Sequence, residues 1–127
     1  MPKQETRKIL AAVSDLFFSV KITDAAKRSG MGLEFVKDQE EIIEKAAQAK
    51  PTLIIFDLNF DEIQPLELIS RLKQSPETKG ISLIGYLSHI QGDLKQAAQE
   101  AGADMVMTRA AFSTNMPQIF KRHSGTP

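Results

Sequence analysis

The sequence predicts an α/β domain built on a parallel sheet. Five short apolar segments of strand length alternate with five segments whose apolar residues recur at helical spacing, and glycine or proline stands at many of the joints. The 127 residues suit one domain, expected over 1–127 with a core of about 7–122 and no output domain after it.

The first strand is Ile9 to Val13, an unbroken apolar run of the kind covered on both faces. Phe18, Ile22, Ala25 and Ala26 then share one helical face, and Gly30 suits the left-handed residue after a helix. Leu33 to Val36 is a shorter strand. Asp38 is placed to cap the next helix, whose stripe is Ile42, Ile43, Ala46 and Ala47. Pro51 stops helical structure before Leu53-Ile54-Ile55-Phe56-Asp57, the most strand-like run and a candidate for the sheet centre. Leu66, Ile69 and Leu72 mark a third helix, closed by Ser75-Pro76.

Ile81 to Leu87 reads as a fourth strand, weakened by Gly85. Leu94, Ala97, Ala98 and Ala101 form the fourth stripe, ending at Gly102. Asp104 to Thr108 is the fifth strand. Phe112, Met116, Ile119 and Phe120 mark the last helix, with Pro117 expected in its first turn. His123 to Pro127 are expected to be a tail. Five such units suit a flavodoxin-like, doubly wound sheet of order 2-1-3-4-5 with helices on both faces. Its chemistry belongs at the carboxyl ends of the strands, beside the switch point between strands one and three.

Composition excludes several classes. Lys and Arg number 16, as do Asp and Glu, so no net field draws the chain to nucleic acid or an anionic membrane. The absence of cysteine removes disulfides, thiolate metal sites and a cysteine nucleophile. No apolar run approaches the ~20 residues of a membrane span, and Met1-Pro2-Lys3-Gln4-Glu5 lacks a signal peptide's apolar stretch. A cytoplasmic location is expected. No histidine stands where it would activate a serine, and Gly30-Met31-Gly32 is misplaced for a dinucleotide fingerprint.

The strand-end positions bring Ser14, Asp15, Asp57, Asn59, Tyr86, Leu87, Arg109 and Ala110 to one edge. Two carboxylates converging there can bind a hard divalent cation, and an unpaired carboxylate can act as a nucleophile in phosphoryl transfer. Asp15 serves equally well as the cap of the first helix. His89, in the loop after strand four, reads as a solvent-facing residue whose charge could change near neutral pH. Adjacent Phe17 and Phe18 cannot both face one core, so one is left for the helix edge or a partner surface.

From about Lys8 to Phe120 the chain resembles the receiver domain of two-component response regulators, of the single-domain, chemotaxis type. The resemblance rests on Ile54-Ile55-Phe56-Asp57-Leu58-Asn59, on Pro65-Leu66-Glu67-Leu68-Ile69 beyond it, and on Ala101-Gly102-Ala103-Asp104. It implies that Asp57 is the phosphoacceptor. It also implies that Mg²⁺ is held by Asp15, Asp57 and the backbone carbonyl of Asn59.

The departures fall on the switch. Ser14 takes one position of the family's acidic pair, which weakens the Mg²⁺ site. Tyr86 stands at the switch Thr/Ser position, with a phenol too long to copy that motion. Arg109 stands at the switch-lysine position, where the resemblance implies that it pairs with Asp57, though a planar fork is not equivalent to an ammonium. Ala110 replaces the following proline, and Asp61 and Pro65 replace the Pro and Gly of the usual loop.

The resemblance implies a signalling domain rather than an enzyme, one that at most accepts a phosphoryl group on Asp57 from a histidine kinase. Output then passes by protein contact to that kinase or another signalling protein, and a homodimer through helix four, strand five and helix five (about Leu94 to Phe120) is expected. Two further readings stand beside it. One is a phosphorylation-independent pseudo-receiver that acts as an interaction module; the other is a small-ligand binder using the switch-point cleft.

Overall fold

The structure, a computed structural model, describes residues 7–88 and 91–124. The elements in chain order are β1 (Lys8–Ala12), α1 (Leu16–Arg28), β2 (Gly32–Phe35), α2 (Gln39–Ala49), β3 (Leu53–Asp57), α3 (Pro65–Gln74), β4 (Ser82–Leu87), α4 (Gly92–Ala101), β5 (Met105–Thr108) and α5 (Arg109–His123). A short 3₁₀ turn, Asp61–Ile63, separates β3 from α3. The five strands form one parallel sheet of order β2-β1-β3-β4-β5, as the alternation predicts.

Strand alternation divides the core into two layers. Leu10, Ala12, Ile54, Phe56, Leu83 and Leu87 face α2, α3 and α4 on one side. On the other, Ile9, Ala11, Ile55, Ile84 and Tyr86 face Phe18 and Ile22 of α1 and Phe112, Met116 and Phe120 of α5. All five residues of β3 are buried, as befits the central strand. Gly85 has a packing reason: a Cβ there would come within 2.9 Å of the Leu58 side chain, which lies over it.

The helix ends follow local chemistry. Asp15 caps α1 by accepting from the Phe18 amide at 3.1 Å, and Gly30 follows with φ 71°. Asp38 caps α2 by accepting from Glu40, and Pro65 opens α3 at its first position.

The last helix differs from expectation. Thr108 accepts from the Ala111 amide and starts α5 directly at the end of β5, so Pro117 lies inside the helix rather than in its first turn. Proline has no N–H for the carbonyl one turn back, but Pro117 is exposed and water can serve that carbonyl. His123 is likewise no loose tail. It is the last helical residue, its carbonyl accepts from Thr52 at 3.0 Å, and its Nδ1 lies 2.8 Å from the Ile119 carbonyl. Asp104 precedes β5 rather than opening it. Its amide still donates to the Leu83 carbonyl at 2.8 Å, but the Leu83 amide is taken by the Asp104 carboxylate at 2.8 Å, which also pairs with Lys73 at 3.1 Å.

Candidate functional site

Asp57 ends β3 and is the direct ladder partner of Tyr86 at the end of β4. Residues in register on adjacent strands point to the same face, so both side chains turn toward α1 and α5. The Tyr86 ring is 1% exposed, with its centroid 4.8 Å from Phe18 and 5.7 Å from Phe112. Asp57 is consequently only 6% exposed.

The Asp57 carboxylate is held by neutral donors. The Asn59 amide donates to Oδ1 at 3.0 Å, and the Ser14 hydroxyl reaches Oδ2 at 3.3 Å. Burial pushes its carboxyl above the ordinary carboxylate range. The two hydrogen bonds and the nearby charge of Arg109 pull the other way without cancelling that shift. Burial also pushes the Tyr86 phenol far above its usual range, with Asp57 and Asp15 adding to the effect. Its hydroxyl lies close enough to Asp57 to feel that charge, and among the described residues it has no partner that meets hydrogen-bond geometry.

Arg109 corrects the expected pairing. Its Nη1 lies 2.6 Å from Oδ2 of Asp15, and Asp15, not Asp57, is its ion-pair partner. The physical reason is hydration. At the rim both side chains stay about a third exposed (37% and 27%), whereas reaching Asp57 would strip water from the guanidinium. Asp15 thus uses one oxygen as a helix cap and the other as the anchor of Arg109. Ala110 follows Arg109 in the first turn of α5, and the peptide bond between them is trans.

Asn59 joins the two loops above the sheet. Its side chain accepts from the amide and hydroxyl of Ser88, at 3.0 and 3.1 Å, and donates to Gln91 at 3.0 Å. Ser88 is the cleft hydroxyl that the sequence reading overlooked. The receiver resemblance assigns the switch hydroxyl position to Tyr86, and the signal for Ser88 is its place one step beyond the strand. His89 lies outside the described residues. At the α1–α5 side of the rim, an open depression of ≈ 460 Å³ is lined by Phe18, Lys21, Ser88, Arg109, Ala110 and Ser113.

The receiver resemblance implies Mg²⁺ at this edge, and the side chains present fit it poorly. A neutral hydroxyl stands at Ser14, and both oxygens of Asp15 are engaged, one of them by a cation. Among the described residues no group of three or more His, Cys, Asp or Glu side chains converges to hold a metal. Hard dications need several anionic or carbonyl oxygens to offset their dehydration.

No protein-family model matches the sequence, and no curated protein does. The fold, in contrast, has many solved counterparts. A response regulator from Hahella chejuensis superposes with a TM-score of 0.84 at 19% identity, over 94% of this chain and 96% of the other. The chemotaxis response regulator CheY4 of Vibrio cholerae gives 0.79 at 18%, over 94% and 99%. The phosphorylated cyanobacterial phytochrome response regulator RcpA gives 0.75 at 21%, over 93% and 91%. At such identities the likeness speaks for architecture, and the architecture is the receiver fold of response regulators over nearly the whole chain.

Proposed function

We propose that the chain is a receiver-like signalling domain that works by protein–protein contact without phosphoryl transfer to Asp57. One observation carries this reading: Asp57 is 6% exposed, beside its in-register strand neighbour Tyr86, whose ring is buried. A phosphodonor must approach a carboxylate oxygen in line, and both oxygens of the buried carboxylate are already engaged, Oδ1 by the Asn59 amide and Oδ2 by the Ser14 hydroxyl. The poor fit to a dication supports it further, since transfer to a carboxylate needs a cation to neutralise the incoming phosphate.

Contact surfaces are at hand. On α1, Leu16, Phe17 and Val20 are 77%, 90% and 69% exposed, an apolar cluster of the kind that marks a partner site. A homodimer through α4, β5 and α5 is the competing arrangement, with Met105 37% exposed on β5. Light scattering over a concentration series decides it; a monomer throughout removes that dimer. A cytoplasmic location and the absence of catalysis of its own go with this reading. Among the described residues, no helix is long and apolar enough to cross a membrane.

The test is the intact mass of the purified protein after treatment with acetyl phosphate and Mg²⁺, with Asp57→Asn as control. No gain is expected. A phosphoryl gain that vanishes in the control would instead establish the second reading, a phosphorelay receiver served by a histidine kinase. That reading draws on one observation: among the described residues Asp57 is hydrogen-bonded to neutral donors and is in no ion pair, so its oxygens keep their nucleophilic character.

A further inference from the structure

We infer that Arg109 is the resident cation of this site, neutralising the carboxylate edge that would otherwise take a divalent metal. The inference rests on the receiver-like reading of the edge and adds how its charge is balanced. Arg109 is fixed by the backbone. It is the first residue of α5, directly after Thr108, whose side chain caps that helix. From there its guanidinium spans to Asp15, in the loop between β1 and α1, at 2.6 Å.

Two carboxylates, Asp15 and Asp57, face one guanidinium whose field reaches both, directly at Asp15 and through space at Asp57. Charge-assisted hydrogen bonds of this length are among the stronger polar contacts, and a dication seeking Asp15 Oδ2 must displace one. The other Asp15 oxygen is tied to the Phe18 amide, so rotating the carboxylate to serve a metal would also uncap α1. An arginine cannot lose its proton in a protein, so this neutralisation is permanent, whereas a metal's depends on its concentration. The domain is therefore built to ignore divalent ions and to keep the β1–α1 loop joined to the start of α5.

A competing explanation is that metal is excluded only because Ser14 replaced a carboxylate. Mn²⁺ binding, read as loss of the free-ion electron paramagnetic resonance signal, separates the two. Wild-type protein is expected to bind no Mn²⁺ in the submillimolar range. Arg109→Gln, with folding checked by circular dichroism, is expected to bind at least about tenfold more tightly than wild type, and Arg109→Gln/Asp57→Asn to lose that gain.

Ser14→Asp, at an exposed position and with folding checked in the same way, adds a third carboxylate while Arg109 stays. It is expected to remain a poor binder, and this arm decides the matter even if Arg109→Gln does not fold. Tight Mn²⁺ binding by wild type or by Ser14→Asp would overturn the inference. A protein that accepts a phosphoryl group yet binds no Mn²⁺ would sink the proposed function and leave this inference standing.

Discussion

Tyr86 and Asp57 are in-register partners across the β3–β4 ladder, and the phenol hydroxyl lies in the field of the carboxylate with no geometric hydrogen bond among the described residues. A buried hydroxyl left without a partner costs about 1–3 kcal/mol, while the ring itself fills the space between Phe18 and Phe112. Tyr86→Phe keeps the ring and removes the orphan. It is expected to raise stability by about 1 kcal/mol in urea denaturation. Tyr86→Ala, which empties the cluster, is expected to cost about 3–5 kcal/mol, as losing a buried aromatic does.

Asp57 carries a pH signature. Its carboxyl is shifted upward in the folded protein from an ordinary 3.8, chiefly by burial. The folded state therefore holds this proton to higher pH than the unfolded state, and stability falls as pH rises through that window. Asp57→Asn removes the effect. The variant is expected to exceed wild type in stability at pH 7, with the advantage shrinking as pH falls to the ordinary carboxylate range. An advantage that grows toward acid would contradict the assignment.

Phe17 and Phe18 separate surface from core on one helix. Phe18 is 6% exposed and packs on Tyr86, while Phe17 is 90% exposed. Phe17→Ser is expected to change the melting free energy by less than about 0.5 kcal/mol. Phe18→Ser is expected to cost more than about 3 kcal/mol, because it opens a cavity and buries a hydroxyl. Equal losses at both positions would mean that Phe17 is covered.

Gly85 is held by its neighbour. An added Cβ would meet three atoms of the Leu58 side chain at 2.9–3.0 Å. Gly85→Ala is expected to cost about 1–3 kcal/mol by overpacking, and most of that cost should vanish in a Leu58→Ala background. Thermal denaturation of the four proteins of this cycle provides the check.

The strands and helices were legible because they are set by period. Leu53 to Asp57 reads as a buried central strand in any context, and the stripe Phe112, Met116, Ile119, Phe120 is helical wherever it starts. The start of α5 was not legible. Thr108 reads as a strand residue until its hydroxyl is seen accepting from Ala111, and that cap moves Pro117 into the helix. The sequence also placed Asp15, Asp57, Tyr86 and Arg109 at one edge but left their partners open. Whether Arg109 closes on Asp15 or Asp57 depends on which carboxylate keeps enough water to make pairing cheap, a difference of burial that no spacing encodes. Tyr86 turned inward for a similar reason: Phe18 and Phe112 come from helices far apart in sequence, and only the packed fold shows that they leave room for a third ring.

On the proposed reading, the burial of Asp57 beside Tyr86 and the Arg109–Asp15 pair leave Asp57 unable to accept a phosphoryl group. Intact mass after incubation with acetyl phosphate and Mg²⁺, compared between wild type and Asp57→Asn, tests it most directly. The expected result is an unchanged mass for both proteins. A single phosphoryl gain in wild type that needs Mg²⁺ and is absent from Asp57→Asn would contradict the account and make this a working phosphoacceptor.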